Sequence, residues 1–176
     1  MATILGVDPG LTRCGFGVID SNLKVLDFGL FQSPAGMNPR DRVGAIGQAL
    51  EEIVVKHKPD LIGLERVFAQ ANLRSVMGVA QVSGALMSIA HRFDIPLEFF
   101  TPSEVKLAVT GHGRAEKAQV GQMVARLLNL AEVPKPADVA DALAVAITAS
   151  KRSSGVGTKA QQKWVAASKA ANRRIG

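Results

Sequence analysis

The sequence predicts one α/β domain in which three antiparallel strands precede alternating helices and strands. Three observations carry that reading. β-prone runs crowd the first 32 residues, with gaps short enough for hairpins. Later segments carry apolar residues at helical spacing. Two short apolar runs lie among those segments, at the spacing of a parallel βαβ unit.

The first strand is Thr3–Asp8, followed by strands over residues 14–20 and 24–32; Pro9-Gly10 and Ser21-Asn22 punctuate them. A helix then starts on explicit signals. Asn38 can cap it, Pro39 suits its first position and Asp41 favours its positive end. Val43, Ile46, Leu50, Ile53 and Val54 form its apolar stripe, and Pro59 closes it. Strands over 60–65 and 96–101 flank a helix over 72–93. Thr101-Pro102-Ser103-Glu104 is a capping box that opens the next helix. Gly111-His112-Gly113 separates that helix from one over 115–130, whose stripe is Val120, Met123, Val124, Leu127 and Leu128. Pro134-Lys135-Pro136 breaks it, and the last helix covers 137–150. The domain is therefore expected over 1–150, with a mobile tail over 151–176.

Charge divides at the same boundary. The 176 residues carry 21 Lys and Arg against 15 Asp and Glu, a net of +6. Seven of the basic residues and none of the acidic ones lie in 151–176, so the body is nearly neutral and the tail is basic. Composition closes several routes. A lone cysteine, Cys14, makes neither an intrachain disulfide nor a zinc site. Met1 leads into a strand-like run with no basic stretch before an apolar segment, so no signal peptide is expected. The most apolar segment, residues 75–90, contains Gln81, serines and glycines, and falls short of the roughly 20 apolar residues that span a bilayer. The expectation is a soluble cytoplasmic protein.

Carboxylates stand where a core should be apolar. Asp8 ends the run Ile4-Leu5-Gly6-Val7, and Glu65 ends Leu61-Ile62-Gly63-Leu64. Asp138 and Asp141, three apart on one helix face, sit among Ala, Val, Leu and Ile. Each has a structural alternative: Asp8 can shape the Pro-Gly turn, Glu65 can cap a strand end, and Asp138 can sit in a helix's first turn. If the first and fourth strands are neighbours and the last helix packs over them, the four converge. Like charges so close do not all stay ionised without a cation. Oxygen ligands suit Mg²⁺ or Mn²⁺ rather than zinc. His57, His91 and His112 form no competing metal pattern.

The segments ILGVDPGLTRCGFGVI, LIGLERVFAQAN, TPSEVKLAVTGHGRAEKAQV and PADVADALAVAI together resemble the RuvC-type Holliday-junction resolvases, over about residues 2–150. The resemblance implies a ribonuclease H-like fold, a homodimer, and an endonuclease that nicks two opposing strands of a four-way DNA junction. It implies that Asp8, Glu65, Asp138 and Asp141 are catalytic and hold two divalent cations, Mg²⁺ with Mn²⁺ as a substitute, leaving 5′-phosphate and 3′-hydroxyl ends. Many family members have histidine where this chain has Asp138. The resemblance also matches Lys106 and Lys117 to lysines near the scissile phosphate and Phe68 to an aromatic that stacks at the junction centre; a helix staple is the alternative for Phe68. It implies a RuvA–RuvB branch-migration complex as partner.

Arg66, Arg74 and Arg114 also fall on segments that follow strands, where cations can position a duplex by its phosphates. The 72–93 helix is apolar on most sides, with Arg74 and Arg92 near its ends, which suggests a subunit interface. Three rival readings stay open. An actin-like or sugar-kinase-like ATPase shares the D-x-G turn but needs two such domains. A ribonuclease H-like enzyme of other specificity shares the carboxylates. A DNA-binding protein could keep the carboxylates without catalysis.

Overall fold

The computed structural model describes residues 1–66 and 73–153, the side chains of Leu73 and Arg74 excepted. Those residues form five strands and five helices: β1 (Thr3–Asp8), β2 (Arg13–Asp20), β3 (Val25–Gln32), α1 (Pro39–His57), β4 (Leu61–Glu65), α2 (Leu73–Arg92), β5 (Leu97–Phe100), α3 (Pro102–Thr110), α4 (Lys117–Leu127) and α5 (Ala137–Ser153). The strands make one mixed sheet in the order β3-β2-β1-β4-β5. β1 and β2, and β2 and β3, pair antiparallel; β4 runs parallel to both β1 and β5.

Period-two alternation divides the sheet's side chains between two cores. Leu5, Val7, Phe16, Val18, Ile62 and Leu64 point to one face and pack with Ile46, Leu50 and Val54 of α1 and Val82 and Leu86 of α2. Ile4, Ile19, Leu61 and Phe100 point to the other and pack with α3, α4 and α5.

The second face has a feature the sequence reading passed over. Gly6 pairs with Gly17 on β2 and with Gly63 on β4, so three glycines lie in a row across three strands. α5 rests on that row. A Cβ on Gly6 would stand 2.3 Å from the Ala142 carbonyl oxygen and 2.4 Å from the Ala146 nitrogen. At Gly6 helix backbone meets strand backbone with no side chain between, while Gly17 and Gly63 make room for the Leu143, Val145 and Ala149 side chains. From Val139 to Ser150 the helix is buried at every position except Asp141. A helix enclosed all round must be apolar all round, and here the sheet lies beneath and α3 and α4 lie against it.

Local signals set the helix boundaries. Asn38 accepts the Arg40 N–H at 2.9 Å, with Pro39 at the first position of α1. The Thr101–Glu104 box closes from both sides, at 3.2 and 2.7 Å. α4 is shorter than its apolar stripe predicts. Glu116 caps it in a box with Gln119, and Asn129, at φ 51°, turns the chain out of the helix. α5 instead runs past residue 150. Lys151 donates to the Ala108 carbonyl at 2.7 Å, and Arg152 donates to Glu104 at 3.1 Å while its guanidinium lies 4.3 Å from the Phe100 ring centre. Two of the seven basic residues after position 150 are thus built into the packed body. Residues 154–176, including Trp164, lie outside the described residues, as does Phe68.

Candidate active site

β1 and β4 are parallel neighbours, with Val7 beside Leu64, so the carboxylates that follow them leave the sheet side by side. Alternation puts Asp8 on the face of Gly6 and Glu65 on the face of Gly63, which is the face α5 covers. α5 begins over Gly15, the β2 partner of Asp8: a Cβ there would meet the Asp138 carbonyl oxygen at 2.1 Å. The first turns of α5 therefore deliver Asp138 and Asp141 to the ends of β1 and β4. The missing side chains of the glycine row make this approach possible.

The carboxylates share one electrostatic field. Asp8 is pushed up to about 8, by burial first and then by Glu65, Asp141 and Asp138. Glu65 is also raised, by burial and then by Asp141, while a hydrogen bond from Asp8 offsets part of the effect. Burial and mutual repulsion thus oppose full ionisation of the Asp8–Glu65 pair.

Two basic side chains answer the α5 aspartates. Lys117, at the start of α4, meets Asp141 at 2.6 Å, and that contact raises the lysine's pKa. Arg13, at the start of β2, meets Asp138 at 2.8 Å. Lys106, on α3, lines a cleft of roughly 180 Å³ together with Glu65, Lys117 and Asp141, and its charge offsets part of the rise at Glu65.

Of the residues predicted from sequence, Asp8, Glu65, Asp138, Asp141, Lys106 and Lys117 are brought together. Arg114 is exposed on the α3–α4 loop and is not among the residues lining the cleft. Arg66 lies over the Phe99 ring, its guanidinium 5.8 Å from the centroid. Phe68 and the Arg74 side chain fall outside the described residues. Arg13 is the addition. Its signal was a basic residue opening a strand that pairs with the Asp8 strand. Cys14, the next residue, faces the opposite core, where burial pushes its thiol up to about 12 and leaves no nucleophilic thiolate.

The residues suit a hard divalent cation. The donors are carboxylate oxygens only, and buried acidic groups whose pKa is raised by one another gain from a cation placed among them. Among the described residues no three acidic, histidine or cysteine side chains are placed so that, as they stand, they could hold a metal ion. Asp138 and Asp141 are turned toward Arg13 and Lys117 instead.

Comparison with known proteins decides the family. A family model described as crossover junction endodeoxyribonuclease RuvC matches residues 4–149. The chain belongs to the RuvC family. A RuvC from Frankia alni is 52% identical over 148 residues, covering 82% of this chain and 75% of the relative. One from Saccharopolyspora erythraea is 45% identical over 175 residues, 97% of this chain and 88% of the relative, so similarity to that RuvC continues beyond the stretch the family model matches. The solved structure of Thermus thermophilus RuvC in complex with Holliday junction substrate superposes with a TM-score of 0.79 at 32% identity, covering 84% of this chain and 92% of that one. The sheet is the ribonuclease H-like sheet of RuvC, and the chain is a nuclease.

Proposed function

We propose that this RuvC resolves four-way DNA junctions by nicking two opposing strands, using divalent cations held by Asp8, Glu65, Asp138 and Asp141, and leaves 5′-phosphate and 3′-hydroxyl ends. The observation that carries the reading is that four carboxylates share one electrostatic field, two of them, Glu65 and Asp141, lining a cleft with Lys106 and Lys117. Two Mg²⁺ ions held by these carboxylates would supply what the chain lacks, a lowered pKa for the attacking water and positive charge beside the leaving 3′-oxygen.

The chain's own groups do the rest. Asp8 and Glu65, at the ends of the parallel neighbours β1 and β4, would hold the cation from the sheet side. Lys106 and Lys117 meet the phosphate from the open side of the cleft, offsetting the repulsion that bare carboxylates exert on DNA. Phe68, three residues after Glu65, stacks on a base at the junction centre, and Arg74 and Arg114 hold phosphates further out.

Two such sites on a two-fold dimer cut matched strands. α2 supports that assembly. Val82, Leu86, Ile89 and Ala90 are buried inward, while Met77 and Met87 are 56% and 48% exposed on a stripe that includes Gly84, beside which no atom lies within 4 Å. An uncharged stripe of exposed methionines around a glycine suits a helix from a second copy. The dimer acts in the cytoplasm beside a RuvA–RuvB complex.

The test uses labelled four-way junction, linear duplex and RNA–DNA hybrid, each with Mg²⁺ and with EDTA. Mg²⁺-dependent paired nicks in the junction alone are expected. Asp8→Asn is expected to abolish them while junction binding stays near wild type. Normal nicking by Asp8→Asn, or cleavage of hybrid in preference to junction, would overturn the reading.

A further inference from the structure

Lys117 and Arg13 each hold one α5 aspartate, but they differ in how they are mounted. Lys117 is 67% exposed, on the first turn of a helix. Arg13 is fixed at its root. It opens β2 opposite Gln32; the neighbouring Thr12 carbonyl accepts the Ser33 N–H at 3.2 Å, and the Thr12 hydroxyl accepts from the buried Arg42 at 2.7 Å. Strand alternation puts Arg13 on the face of Gly15, and Gly15 is where the Asp138 backbone settles against the sheet. The guanidinium then reaches Asp138 with two donors, Nε at 3.0 Å and Nη2 at 2.8 Å, both on Oδ2. A rigid strand end thus presents a permanent cation to a carboxylate on a rigid helix, and Arg cannot discharge by losing its proton.

We propose that Arg13 is a built-in counter-ion that competes with the divalent cation for Asp138 and so sets how tightly the site takes that cation. This rests on the reading of the four carboxylates as a metal site. In the metal-free protein Arg13 compensates Asp138, much as Lys117 compensates Asp141, and limits repulsion within the cluster. A cation that recruits Asp138 must draw Oδ2 away from two charge-assisted hydrogen bonds or share it with them. Both partners are partly solvated, at 43% and 27% exposure, so the competition is modest. Arg13 is a positioning residue: it acts on the reaction through Asp138.

Mn²⁺ affinity, read from the electron paramagnetic resonance signal of free Mn²⁺ in the absence of DNA, tests this without a turnover step. The proteins are wild type, Asp8→Asn, Arg13→Gln, Arg13→Lys, Asp138→Asn and the Arg13→Gln/Asp138→Asn double variant, each checked by thermal unfolding. Arg13→Gln is expected to tighten Mn²⁺ by about fivefold, the upper end for a partly exposed ion pair. The same change in the Asp138→Asn background is expected to do nothing. Arg13→Lys, which keeps the charge but loses the fork, should tighten Mn²⁺ by less; it decides the matter if Arg13→Gln does not fold. Unchanged or weaker affinity would overturn the proposal. Equal tightening in both backgrounds would also overturn it, by reducing Arg13 to general field. If wild type holds no Mn²⁺ that Asp8→Asn removes, the metal site itself fails and the competition fails with it. That outcome is distinct from a site that binds Mn²⁺ but ignores Arg13.

Discussion

The two faces of the sheet are built on opposite rules. Under α1 and α2 the strands present Leu5, Val7, Phe16, Val18, Ile62 and Leu64, and the helices stand off at the distance those side chains impose. Under α5 the same strands present Gly6, Gly17 and Gly63, and the helix lies almost on the backbone. The first face is ordinary core. The second gives up side-chain burial on the sheet and gains position: only a helix this close brings Asp138 and Asp141 to Asp8 and Glu65. Branched aliphatics hold the fold together on one side, and their absence places the chemistry on the other.

The largest effect expected from breaking this contrast is Gly6→Val. The atoms facing a new Cβ are helix backbone, with no flexible end to swing away. We expect a stability loss above about 4 kcal/mol in urea unfolding, and loss of junction cleavage in whatever protein stays folded. On the other face, Leu50 is fully buried, and Leu50→Ala should cost about 3 kcal/mol. It should leave the cleavage rate per folded molecule unchanged, because α5 does not rest on α1. Similar cleavage defects from the two variants would dissolve the comparison.

A smaller effect concerns the raised pKa of Asp8. Its carboxyl is pushed up to about 8 in the folded protein, by burial first, from about 4 when unfolded. The stability it contributes is therefore full below about pH 4 and is lost as pH rises through about 8. In EDTA, wild type should lose stability between pH 5 and 9, while Asp8→Asn loses less and becomes the more stable of the two at pH 9. Parallel curves in urea unfolding would mean that the carboxylates do not share a field. The smallest effect is a control on the first face. Gly44, exposed in α1, has no atom within 4 Å of an added Cβ, and Gly44→Ala should stabilise by about 0.5–1 kcal/mol.

The order of elements was legible because its signals are local. Asn38-Pro39, Thr101-Pro102-Ser103-Glu104 and Pro134-Lys135-Pro136 act over a few residues, and the structure uses the first two as caps. The convergence of the carboxylates followed from two assumptions, that β1 and β4 are neighbours and that the last helix packs over them, and the structure meets both. What escaped depends on register. Gly6, Gly17 and Gly63 become a row only when three strands are aligned, although glycines inside strands are themselves a sign of close backbone approach. The Arg13–Asp138 pair spans 125 residues and depends on that same approach. The ends of α4 and α5 were misjudged because apolar periodicity does not see Asn129 leaving the helix, or Arg152 reaching Glu104 and Phe100.

The most direct test of the central claim is an anomalous difference map from crystals of the protein soaked in Mn²⁺. The account predicts density within coordination distance of the Asp8 carboxylate, bounded by Glu65 and by at least one of Asp138 and Asp141. Mn²⁺ bound elsewhere, with none at Asp8 and with the Arg13–Asp138 and Lys117–Asp141 pairs intact, would contradict it.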